Sequence, residues 1–156
     1  MTDRTPRPPP RPVPLDWGLA MGLGMPRFAA RRLTARERSL GPVRAFVRHT
    51  LTRWDLTAAL DDVTLVACEL AANALRHALR GEHAADCGWL ALAHTRHTVL
   101  CAATDPDPRF PLGPPHRDGL AEDGWGLTLV RALSDTWGWH RLPGGGGKSV
   151  WAKIPA

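Results

Sequence analysis

Apolar residues recur at two different periods along this chain. In SLGPVRAFVRHTLTRW, Val43, Phe46, Val47, Thr50/Leu51 and Trp54 follow helical spacing, and Pro42 suits a first turn. An amphipathic helix is expected there, with Arg44 and Arg48 on its outer face. A second helix is expected from about Ala58 to Leu79. Thr57 can cap it, Asp61 and Asp62 suit its positive end, and Gly81 can close it. The period then shortens. WLALAH (89–94) and TVLCAAT (98–104) read as two strands joined by the turn Thr95-Arg96-His97, an antiparallel hairpin. FAARRL, Phe28 to Leu33, reads as an earlier strand. Trp137 to His140 and Ser149 to Ile154 read as two last strands, joined by LPGGGGK. A short helix, about Gly126 to Ser134, precedes them, with Leu127, Val130 and Leu133 on one side. Helices followed by mostly antiparallel strands predict an α+β two-layer sandwich, with the helices on one sheet face.

Three stretches break the periodic pattern. Residues 1–14, MTDRTPRPPPRPVP, read as an extended, disordered tail. Residues 15–27 carry three glycines among scattered apolar side chains and receive no element. Asp105 to Gly124 holds five prolines without periodicity, and so long a loop inside a compact domain is usually functional or disordered. With 156 residues in all, one domain is expected, spanning 28–156 after the tail.

Composition narrows the function classes. The net charge is +5, but residues 1–53 carry 11 Arg against 3 acids, while the remainder is net acidic. A solvated arginine-rich face accounts for this, and no nucleic-acid motif accompanies it. No apolar run is long enough for a bilayer, and no apolar core follows the N-terminal arginines, so a cytoplasmic protein is expected. Cys68, Cys87 and Cys101 form no C-x-x-C pair and read as free thiols.

Candidate chemistry begins in CELAANALRHAL, Cys68 to Leu79. Glu69, Asn73 and His77 recur every fourth residue. Such a step advances about 40° around a helix, so they form one narrow strip beside the apolar stripe of Leu60, Val63, Ala67, Leu70, Ala71, Ala74 and Ala78. A carboxylate there can act as a base, and a neutral amide oxygen suits a magnesium ion also held by phosphates. Spacing alone leaves a solvated polar edge equally open. Asp105 directly follows a strand, where a carboxylate can accept from an exocyclic amine; a turn-forming Asp before Pro106 is the plainer reading. Gly124-Trp125-Gly126 stands at a helix mouth, where backbone N–H groups can meet phosphate. GGGGKSVW (144–151) lacks P-loop spacing and reads as a long hairpin turn.

ELAANALRH, TDPDPRFP, GWGLTLVRALSDTWG and GGKSVW occur in that order. Together they resemble the GHKL ATPase superfamily, to which histidine kinases and gyrase belong. More narrowly, they resemble the bacterial anti-sigma-factor serine kinases and related small ATP-binding regulators abundant in actinomycetes. The resemblance implies a Bergerat-type sandwich binding ATP and Mg2+ beneath a lid at 106–123. It implies a catalytic role for Glu69, magnesium on Asn73, a phosphate-side position for His77 and adenine reading by Asp105. Gly124, Gly126 and Leu127 fall at the lid's end by the phosphates, and Ser149 at a hydroxyl position near adenine. Asp107 departs from the usual glycine or serine, and Trp125 from a frequent arginine. The implied activity is ATP-dependent serine/threonine phosphorylation of an anti-sigma-factor antagonist by a sigma-factor-binding, homodimeric protein. A non-catalytic switch that sequesters a partner is the alternative.

Overall fold

Five strands form one sheet in the computed structural model of the chain, which describes residues 27–77 except 35 and 38, then 87–108 and 125–156. The strands are β1 (Phe28–Thr34), β2 (Cys87–Thr95), β3 (Thr98–Asp105), β4 (Thr136–Arg141) and β5 (Lys148–Pro155). Their order across the sheet is β1-β2-β3-β5-β4, and each pairing is antiparallel. The helices are α1 (Gly41–Arg53), α2 (Leu60–His77) and α3 (Trp125–Leu133). The fold is therefore the expected α+β sandwich. The expected tail, residues 15–26, Gly81 and most of the proline-rich loop lie outside the described residues.

Sequence explains most element boundaries. Pro42 sits in the first turn of α1, as its fixed φ and missing N–H allow. The helix ends in a Schellman arrangement. Asp55 takes a left-handed φ of 59°, its N–H bonds to Thr52 O, and Leu56 N–H reaches Leu51 O at 2.9 Å. Aspartate takes the place glycine usually fills, and Leu56 turns back onto the core. Thr57 does not cap α2 with its side chain. It opens a single 3-10 turn, Thr57–Ala59, and Leu60 bonds back to the Thr57 carbonyl. The hairpin between β2 and β3 turns on Arg96-His97 alone, with Thr95 paired to Thr98 and Arg96 at a φ of 46°.

Alternation along the strands divides the sheet into two faces. Leu90, Leu92, Val99, Cys101, Ala103, Val150, Ala152 and Ile154 face the helices and pack with Val43, Val47 and Leu51 of α1, Val63, Val66, Leu70 and Ala71 of α2, and Val130 of α3. Cys68 and Cys101 are buried free thiols that burial pushes up, which disfavours the reactive thiolate. On the other face Ala93, Leu100, Ala102 and Trp151 form a second buried cluster. Gly138 lies opposite Trp151 in the β4–β5 ladder, and a Cβ there would stand 2.9 Å from the Trp151 ring. Gly138→Ala is expected to lower stability by about 1–3 kcal/mol through overpacking. A urea midpoint equal to that of the native chain would refute this.

Candidate functional site

Helix α2 places the predicted polar strip. Its apolar stripe is buried at Val63, Ala67, Leu70, Ala71 and Ala74, as the spacing required, and Val66 joins it. Glu69 and Asn73 are half-buried. Among the described residues neither side chain makes a hydrogen bond or ion pair. Helix α2 packs between α1 and α3 and lies against β3. Cys68 feels the charge of Arg44, which marks the flank facing α1. Glu69 and Asn73 therefore edge the opposite flank, on the side of α3. A carboxylate and an amide one turn apart, half out of water and uncommitted to any described partner, can serve a ligand. The backbone of His77 continues the strip as the last residue of α2. Its side chain lies outside the description.

Asp105 ends β3 with only 3% of its surface exposed. It is not a simple turn former. Its Oδ1 accepts from the Asp107 backbone N–H at 2.9 Å and from the Lys148 ammonium at 3.0 Å. Lys148 is just as buried, and its Nζ also donates to the Asp107 carbonyl at 3.0 Å. Burial pushes the Asp105 carboxyl up, and the Asp107 charge adds to this. The Lys148 charge, its hydrogen bond and the Asp107 N–H offset only part of this, so the carboxyl stays above its ordinary value. A buried carboxylate without that ammonium would neutralise itself. Lys148 is the residue that sequence reasoning missed, because it looked like the end of a glycine turn.

The register sorts the remaining candidates. Asp105 pairs with Lys148, and Thr104 with Ser149. Since side chains alternate, Ser149 points to the sheet face opposite that of Asp105. It is fully buried, and its Oγ has no hydrogen-bond partner among the described residues. Gly126 and Leu127 lie in the first turn of α3, Leu127 partly buried. Gly124 lies outside the described residues. The structure thus brings Asp105 and Lys148 together, sets Glu69 and Asn73 on the helix packed against β3, and directs Ser149 elsewhere.

These residues fit an adenine nucleotide. A carboxylate offers about four acceptor positions. Both donors to Asp105 share Oδ1, so among the described residues Oδ2 has none and can read an amino group. Among the described residues no three His, Cys, Asp or Glu side chains gather to hold a metal ion. Asn73 alone suits magnesium, which keeps several waters and arrives with phosphates. No described helix is long and apolar enough to cross a membrane. No curated protein matches the sequence. A family model does: that of the histidine kinase-like ATPase domain matches residues 33–154, well over half of the chain. With the sandwich, the strip on α2 and the buried aspartate at the end of β3, the chain belongs to the histidine kinase-like ATPase family.

Proposed function

We propose that this ATP-binding domain works as an anti-sigma factor that uses Mg-ATP to phosphorylate a serine or threonine of an anti-sigma-factor antagonist. The observation that supports this reading best is the pairing of Glu69 with Asn73 one turn apart on α2, neither committed to a described partner. A nucleotide-holding site alone needs no base. A phosphotransfer site needs one within reach of the attacking hydroxyl.

Each residue has a separable task. Asp105 accepts the adenine amino group through Oδ2. Asn73 contributes its amide oxygen to magnesium, which neutralises phosphate charge when bound. Glu69 accepts the proton of the substrate hydroxyl and orients that hydroxyl toward the terminal phosphate. His77, Gly124, Gly126 and Leu127 complete the phosphate side. Sigma factor and phosphorylatable antagonist compete for the protein, which acts as a cytoplasmic homodimer.

A titration calorimeter tests the foundation. Mg-ATP is expected to bind the native chain, and Asn73→Ala to remove that binding. No heat with either protein would end the nucleotide reading. Labelled ATP with candidate antagonists tests the transfer. Normal nucleotide binding with no labelled antagonist would favour a non-catalytic, partner-sequestering switch instead.

A further inference from the structure

Lys148 is a costly side chain to bury, and the placement of its ammonium is specific. It is 2% exposed, and its Nζ bridges the Asp105 carboxylate to the Asp107 carbonyl, both at 3.0 Å. Buried ion pairs seldom add net stability over apolar packing. The same fold could hold an apolar pair at these cross-strand positions. The pair therefore calls for a reason beyond stability.

That reason lies in what the Asp105 carboxyl can say to a base. Ionised, it only accepts hydrogen bonds; protonated, it also donates. A 6-amino purine presents an N–H donor at its 6-position, and a 6-oxo purine presents an acceptor there. An ionised Asp105 welcomes the first and repels the second. A protonated Asp105 can satisfy either. Whether the site discriminates thus depends on holding the proton off a carboxylate that is almost fully buried.

We propose that Lys148 is a specificity-determining positioning residue: it holds Asp105 ionised and fixes Oδ1, so that Oδ2 accepts only a 6-amino purine. The inference rests on the nucleotide reading of Asp105 given above. Lys148 touches no base itself and acts through Asp105. Its second bond ties Asp107 to the same point. The chain leaving the sheet at 106–108 is thereby anchored on the base-reading group, and Asp107 is accommodated there despite its charge.

The test compares ATP with inosine triphosphate, which carries a 6-oxo group in place of the 6-amino group and a proton on N1. Affinities are measured calorimetrically for the native chain, Lys148→Met and Lys148→Arg. The native chain is expected to prefer ATP. Lys148→Met is expected to lose about tenfold or more of the ATP-to-ITP ratio, since a site that no longer enforces one hydrogen-bond pattern stops rejecting the other. Lys148→Arg, which keeps the charge, is expected to retain most of the ratio. A purely structural lysine would weaken both nucleotides alike and leave the ratio unchanged, which overturns the proposal. If Lys148→Met does not fold, the double variant Asp105→Asn with Lys148→Met, which leaves no buried unpaired charge, is compared with Asp105→Asn and decides the matter. Once Asp105→Asn is in place, loss of the lysine should leave the ratio where that first substitution put it, and a further fall overturns the proposal. A native chain that binds ATP without preference over ITP overturns it too. A native chain that binds neither overturns the nucleotide reading itself.

Discussion

Gly147→Ala is expected to be among the most damaging single substitutions in the domain. Gly147 has a φ of 128°, a region that side-chain-bearing residues rarely adopt, and its carbonyl accepts from Leu142 N–H at 2.9 Å to close the β4–β5 hairpin. A Cβ at this position would stand 2.0 Å from the Asp105 carbonyl oxygen and 2.9 Å from Pro106 Cα. Those neighbours are backbone, so neither can rotate away. Backbone strain of this kind costs about 1–3 kcal/mol. With the clash added, a total of roughly 4 kcal/mol or more is expected, at the extreme of single-residue effects. Gly144→Ala is the control. It also has a positive φ, 78°, but a Cβ there meets nothing within 4 Å. It should cost only about 1 kcal/mol. Chemical unfolding of both variants checks the contrast, and equal losses would refute the close-approach argument. Nucleotide affinity offers a second readout. The carbonyl that must move belongs to Asp105, and Lys148 is the next residue along, so a surviving Gly147→Ala protein should bind Mg-ATP less well than Gly144→Ala.

Gly147 and Lys148 also show where sequence reading stops. GGGGK looked like one flexible turn, because composition does not reveal which glycine meets a neighbouring backbone. Parity did hold the answer for Lys148. Val150, Ala152 and Ile154 face the helices, and stepping back by two reaches position 148, not 149. The same count places Ser149 on the far face, where its buried hydroxyl has no described partner. What parity cannot supply is the pairing partner. That Lys148 meets Asp105 across the sheet depends on the β3–β5 register, a long-range property set by tertiary packing. Local signals were read more completely. The hairpin turn at Arg96-His97, Pro42 in the first turn of α1 and the buried stripe of α2 all follow from period and turn chemistry. The cap at Thr57 failed for a local reason too: an extra 3-10 turn lets the backbone carbonyl do the work assigned to the side chain. Glu69 and Asn73 were legible as a strip. That they stay uncommitted to any described partner was not, since this depends on what the neighbouring elements present.

Glu69→Gln should separate transfer from binding. Glutamine keeps the volume, the rotamers and one acceptor oxygen, and removes only the ability to take a proton. Glu69 makes no hydrogen bond or ion pair with a described residue, so the exchange breaks no described contact. Stability should change little, and Mg-ATP affinity should stay within severalfold of native or rise, because a negative charge near the phosphates is gone. Transfer to the antagonist should fall by about 10²–10⁴-fold, the range expected when a general base is removed. Single-turnover transfer from labelled ATP, under saturating nucleotide, isolates that step from binding. Asn73→Ala provides the opposite signature, with binding lost first and transfer lost as a consequence. Native transfer rates in Glu69→Gln would show that Glu69 does not act as the base, and parallel losses of stability and binding would reveal a structural role. A large fall in transfer at unchanged affinity has neither explanation. It requires that a group one turn from Asn73 act on the hydroxyl and not on the nucleotide, which is the division of labour that their spacing on α2 makes possible.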